Sequence, residues 1–176
     1  MNNQERLDQI YAHMAEYIAG DAMRIQHFTK VHYYSAMIGR GEGLDDATLY
    51  TLEVAAILHD IGIHPALREY GTSAGPYQEK LGPAPARELL EHLGEDENVI
   101  DRVCYLIAHH HTYNNIEGID YQILVEADFL VNLLEDGLDK STAENAYAKI
   151  FKTATGKRLW SQMYGVEYSD EMIKSK

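Results

Sequence analysis

The sequence predicts an all-α fold, a helical bundle of roughly seven or eight helices forming a single domain over residues 1–176. Three observations predict it. Apolar residues recur at spacings of three and four along most of the chain. Glycines fall at helix-length intervals, where they stop helices. No segment alternates apolar and polar residues for long enough to argue for a strand.

Taken in order, Leu7, Ile10, Tyr11, Met14, Tyr17 and Ile18 form the apolar face of a first helix that stops at Gly20. Asp21 is placed to cap a second, whose face carries His27, Val31, Tyr34 and Ile38. Asp45 or Asp46 caps a third through Leu49, Leu52, Ala56 and His59, ending near Gly62. The stretch from Ile63 to Gly82 holds Pro65, Gly71, Gly75 and Pro76 and reads mainly as a long surface loop, with one short helical turn at Ala66–Glu69. A loop of that length is usually functional, so His64–Lys80 is a candidate lid. Pro83 opens a helix through Ala86, Leu89 and Leu90 to Gly94. Asn98–His110 forms another, with Ile100, Val103, Leu106 and Ile107 on one face. A polar loop leads to a helix over about Tyr121–Glu135, stopped by Gly137. Ser141-Thr142-Ala143-Glu144 matches a capping box opening a helix to about Thr155, and a short last helix carries Leu159, Trp160 and Met163.

Composition narrows the function. With 45% hydrophobic and 24% charged residues, the 176-residue chain is ordinary for a globular protein and excludes a disordered or collagen-like one. The single cysteine, Cys104, excludes an intramolecular disulfide and a CxxC zinc site. No apolar run reaches the roughly 18–20 residues of a membrane helix, and the N-terminal residues lack a signal-peptide pattern, so a cytoplasmic location is expected. The formal net charge of −13 repels nucleic-acid backbones and anionic lipids, which excludes both as expected partners. A small anion remains open, because a bound cation inverts the local field.

Four places carry chemistry-bearing residues beside core-type sequence. His59-Asp60 follows Ala55-Ala56-Ile57-Leu58, and His109-His110-His111 follows Leu106-Ile107-Ala108. Asp128 sits between Val125-Glu126-Ala127 and Phe129-Leu130-Val131, and His27 lies on the second helix. Each alone has an ordinary structural reading: a satisfied core histidine, an imidazolium at a helix C-terminus, a carboxylate paired with arginine. Together they require partners in an apolar setting, and a divalent metal is one partner that satisfies them all. They come from separate helices, which is how bundles assemble internal metal sites.

This ordered set, His27-Phe28-Thr29-Lys30-Val31, then Ala56-Ile57-Leu58-His59-Asp60-Ile61-Gly62, then Val125-Glu126-Ala127-Asp128-Phe129-Leu130, resembles the HD superfamily of metal-dependent phosphohydrolases. The resemblance covers about residues 21–135, leaving the N-terminal helix and the C-terminal helices as flanks. His111-Thr112 and the spacing to Asp128 look most like the HD-type symmetrical diadenosine tetraphosphate hydrolases. The Gly-Tyr-Pro motif of cyclic-di-GMP enzymes is absent, as is the acidic pair that follows the signature in hydrolases of guanosine alarmones.

The resemblance implies a metal held by His27, His59, Asp60 and Asp128, and a second in dinuclear branches, with His110 and His111 as its ligands. Those branches place a further histidine where this chain has Leu81; the nearby Glu79 is a candidate replacement, while His92, deeper in the following helix, reads as a surface or packing residue. Whether His109 takes part stays open. The implied cofactor is one or two divalent transition ions, iron or manganese first, with zinc, nickel, cobalt or magnesium as alternatives. Asp60 would bridge the ions and, with Lys30 one helical turn from His27, do the catalytic work. Lys30, Lys80 and Arg68 would grip phosphate oxygens, and Tyr77 would stack a base. The expected partner is a small phosphorylated molecule, a nucleotide first, and the expected assembly is a monomer or homodimer. A metal-retaining binding module without turnover is the alternative, favoured by Leu81.

Overall fold

The computed structural model describes residues 2–137 and 139–165. Its helices are α1 (Asn3–Tyr17), α2 (Ala22–Gly41), α3 (Asp46–Leu58), α4 (Ile63–Tyr70), α5 (Gly75–Leu81), α6 (Pro83–His92), α7 (Glu97–Ile107), α8 (Ile119–Glu135), α9 (Lys140–Ile150) and α10 (Ala154–Tyr164). Among the described residues there is no strand, so the fold is all-α.

Local chemistry sets the helix starts. The Asp21 carboxylate accepts the Arg24 amide at the head of α2, and Asp45, not Asp46, accepts the amides of Ala47 and Thr48 at the head of α3. At α1, Asn2 and Glu5 exchange side-chain and backbone bonds in a capping box. The expected box at Ser141–Glu144 lies two residues out of place: Asp139 is the cap, accepting the Thr142 amide, and Ser141 is already inside α9. Aspartate is as good a cap as serine, so the earlier residue starts the helix.

The stretch from Ile63 to Gly82 departs from the expected loop. It forms two short helices, α4 and α5, broken at Gly71, whose φ of +70° suits glycine. Pro65 and Pro76 each occupy a first helical turn, where a missing N–H breaks no helical bond. The rings of Tyr70 and Tyr77 stack with centroids 4.3 Å apart and join the two helices. At the base of this pair two backbones touch. A Cβ on Gly62 would lie 2.5 Å from the Gln78 carbonyl oxygen and 2.8 Å from the Gly82 nitrogen.

The core centres on α3 and α8, which are apolar on most faces and therefore lie inside the bundle. Val54 to Leu58 of α3 are all buried, as are Ile123, Leu124, Val125, Ala127, Leu130 and Val131 of α8. Helix α2 packs against both, α7 covers α3, and α9 and α10 lie on α8. The expected helix through Thr155 ends earlier, at Ile150, because the next amides are captured elsewhere. The fully buried Glu126 carboxylate accepts the amides of Lys152 and Thr153 at 2.6 and 2.9 Å, the Thr153 hydroxyl, and the Gln122 side-chain amide. This straps the start of α10 onto α8.

Candidate metal centre

The packing of α2 on α8 sets His27 opposite Asp128. His59 and Asp60 occupy the turn between α3 and α4, and His110 and His111 the turn after α7. Both turns are pinned by hydrogen bonds. The Ile63 amide donates to the Asp60 carbonyl, closing the first. The second is held by Glu79, whose carboxylate accepts the His111 amide and the Thr112 hydroxyl at 3.0 Å each. The Tyr121 hydroxyl, 2.6 Å from the His109 carbonyl, supports it from α8.

The side chains converge. His27 Nε2 lies 3.1 Å from His59 Nε2, 3.3 Å from Asp128 Oδ1 and 3.5 Å from Asp60 Oδ2. His59 Nε2 is 3.6 Å from Asp128 Oδ1 and 3.7 Å from Asp60 Oδ2. The other Asp60 oxygen, Oδ1, lies 3.2 Å from His110 Nε2 and 3.8 Å from His111 Nε2. The Asp60 carboxylate therefore stands between two histidine pairs. None of His27, His59, Asp60, His110 and Asp128 is more than 6% exposed.

The outer ring nitrogens fix the tautomers. His59 Nδ1 donates to the Ala56 carbonyl and His110 Nδ1 to the Ile107 carbonyl, both at 2.8 Å. His27 Nδ1 donates to Glu135 Oε2, also at 2.8 Å, and Asn132 Nδ2 donates to Asp128 Oδ1. Carbonyls and carboxylates only accept, so each Nδ1 carries a proton and each Nε2, facing inward, is the ring atom left to take a proton or a metal.

Electrostatics follow from this crowding. Burial opposes charge on the Asp128 and Asp60 carboxyls, yet the neighbouring imidazoles outweigh it and hold both below the usual carboxylate range. Burial likewise pulls the His27 imidazole down, but the hydrogen bond and charge of Asp128, with Asp60, raise it to about 9. His111 goes the other way, lowered to about 4 by burial and then by the charge of His110. The cluster thus attracts positive charge at its His27 end and keeps a neutral imidazole at the other.

The residues present fit a metal on two observations. His27 Nε2 and His59 Nε2 face each other at 3.1 Å with both Nδ1 protons spent elsewhere, so the gap between them takes a shared proton or a metal cation. His111 Nε2 is a buried nitrogen with no hydrogen-bond partner among the described residues. Among those residues, two groups bring three ligand atoms within 4.8 Å of one another: His27, His59 and Asp60, and Asp60, His110 and His111. Imidazole and carboxylate together suit a divalent transition ion.

Five of the sequence-derived site residues besides Asp60 meet here: His27, His59, His110, His111 and Asp128. Glu79 lies beside them but is turned to the His111–Thr112 turn, outside both groups of ligand atoms. The Lys30 ammonium is paired with the Glu135 carboxylate. Lys80 bonds the Tyr70 hydroxyl at 2.7 Å, Tyr77 stacks on Tyr70, and Arg68 is exposed on α4. His109 turns its Nδ1 to the Tyr105 carbonyl and stacks on the Tyr105 ring, away from the convergence. The sequence reading missed Asn132 and Glu135. Their spacing of four and seven from Asp128 on one helix face was the available signal.

A helical scaffold whose turns and helix faces focus histidines and aspartates on one shared carboxylate defines a class of metal-binding α proteins. Residues 24–154 match the HD-domain family, and the chain belongs to that family. The fold is similar to the crystal structure of a predicted HD superfamily hydrolase from an uncultured Thermotogales bacterium. That similarity has a TM-score of 0.67 at 24% identity, covering 94% of this chain and 92% of that one. No curated protein sequence matches the chain.

Proposed function

We propose that the chain is a metal-dependent phosphohydrolase that cleaves a phosphate ester or anhydride of a small molecule, with nucleotides as the first substrates to test. The observation that carries this reading is the Asp60 carboxylate set between two histidine pairs, with His111 Nε2 left unpartnered. His27, His59, Asp60 and Asp128 would hold one ion, and Asp60, His110 and His111 a second. When bound, such ions supply hydroxide near neutral pH and offset phosphate charge, the role a chain of net charge −13 otherwise lacks.

The protein's own contribution is placement. Asp60 offers one oxygen to each histidine pair, so a single side chain sets the spacing of the whole centre. Asn132 and the carbonyls of Ala56 and Ile107 lock the rotamers of Asp128, His59 and His110. Glu79 holds the His111 turn from the neighbouring α5, and it remains a proposed ligand. Lys30, Lys80 and Arg68 remain the proposed phosphate contacts and Tyr77 the proposed base contact. Lys80 and Tyr77 reach that role as parts of the stacked α4–α5 pair rather than of a loose loop.

A second reading, a metal-retaining binding module without turnover, is favoured by Leu81, at the place where the resemblance to dinuclear HD proteins implies a further histidine. One experiment separates the two. Protein loaded with manganese or iron is screened against nucleoside mono-, di- and triphosphates and dinucleoside polyphosphates, beside Asp60→Asn. Turnover abolished by the substitution supports the hydrolase. Metal bound with no turnover on any substrate supports the module, and no metal uptake overturns both.

A further inference from the structure

We propose that Glu135 is a positioning residue that fixes His27 for metal binding and makes the His27 side of the centre the tighter one; this rests on the metal-centre reading above. The buried imidazoles are supported unequally. His59 and His110 each donate from Nδ1 to a backbone carbonyl three residues earlier in the chain, a neutral acceptor that the local turn supplies. His27 sits mid-helix, where the backbone is already bonded, and its support comes from another element. Glu135, the last residue of α8, places Oε2 at 2.8 Å from His27 Nδ1.

The carboxylate is itself held. Its second oxygen meets the Lys30 ammonium, one helical turn beyond His27 on α2. Flanked by that cation, Glu135 is an acceptor only, which keeps a proton on His27 Nδ1 and leaves Nε2, facing His59, Asp60 and Asp128, as the nitrogen that gives up its proton to a metal. A charged acceptor strengthens the donation and makes the opposite nitrogen a better ligand. Glu135 also lies seven residues from Asp128 on the same helix, so one face of α8 supplies both a direct ligand candidate and the support of the residue across from it. Lys30 thereby acquires a place in the centre that needs no substrate.

The test is calorimetric titration of chelator-stripped full-length chain with manganese(II) and cobalt(II), comparing wild type, Glu135→Gln and Glu135→Ala. The expected result is a loss of roughly 10- to 100-fold in the tighter binding event for Glu135→Ala. The weaker event should stay unchanged and the visible spectrum of the first cobalt ion should alter. Glu135→Gln, whose amide oxygen still accepts the Nδ1 proton, should recover part of the loss. Wild-type affinity in Glu135→Ala would overturn the proposal and leave the metal reading standing. So would equal weakening of both events together with a lowered melting temperature, which is general loosening rather than positioning. A wild-type chain that takes up neither ion would overturn both.

Discussion

At the scale of single residues, Asp60 carries the most. Asp60→Asn keeps the shape and removes the charge that both histidine pairs face. We expect metal content by plasma mass spectrometry to fall, and any hydrolysis to drop by more than the roughly 10- to 100-fold typical of losing an outer support. His27 makes a pH prediction for the chelated protein. Its imidazolium persists to about 9 in the fold, against about 6.5 in the unfolded chain. The stabilisation is therefore complete below the unfolded value and is lost as pH rises through about 9. Urea midpoints of the stripped wild type should fall between pH 6.5 and 9.5, and those of stripped His27→Gln should fall less. His59-Asp60, the 109–111 histidines and Asp128 were legible in the sequence because they interrupt or end apolar runs, where an unpartnered polar group is costly, and His27 by its place in the ordered set. Glu135 and Asn132 were not. They stand on a helix face in a chain with 28 acidic residues, and nothing in composition separates a support from a solvated charge.

At the scale of elements, the crossing of Gly62 over the end of α5 fixes the turn that presents His59 and Asp60. Gly62→Ala would drive a methyl group to 2.5 Å from a backbone oxygen that cannot swing aside. The expected cost is about 1–3 kcal/mol in urea unfolding, with weaker metal binding because the turn must shift. The Glu126 strap is tested in the same way. Glu126→Ala would leave the Lys152 and Thr153 amides without their buried acceptor, at about 1–3 kcal/mol for each left unsatisfied. The long helices were readable from their periodicity and stops. Helices α4 and α5 were not, for a physical reason: segments of 8 and 7 residues show too few turns for periodicity, and their prolines look like breakers until the start is known. The misplaced start of α9 has a similar cause, since Asp139 and Ser141 are both good caps and the sequence does not rank them.

At the scale of the whole molecule, the fold was written in glycine spacing and apolar periodicity, and the meeting of four distant segments in the cost of their polar residues beside apolar sequence, whereas the place of Asp60 between two histidine pairs was legible only through resemblance to a family. Any cation that binds the folded chain alone should stabilise all of it. Manganese at a hundred times its dissociation constant is expected to add about 2.7 kcal/mol. That raises the melting temperature by roughly 5–10 °C for a chain of this length. Stripping with chelator should reverse the shift, and a melting curve indifferent to both would count against the centre. One feature of the architecture bears on how such a loss would spread. His27 and Asp128 are carried on long packed helices, but His59, Asp60, His110 and His111 all sit in turns. Helices α2 and α8 keep their buried contacts whether or not a cation is present, while the turns owe part of their order to what they enclose. In deuterated water, amides of residues 59–62 and 109–112 should therefore exchange faster after chelation, while those at the centres of α2 and α8 keep their protection. The centre would come apart from its loops inward, leaving a closed bundle with a loosened rim that can take the metal back without refolding.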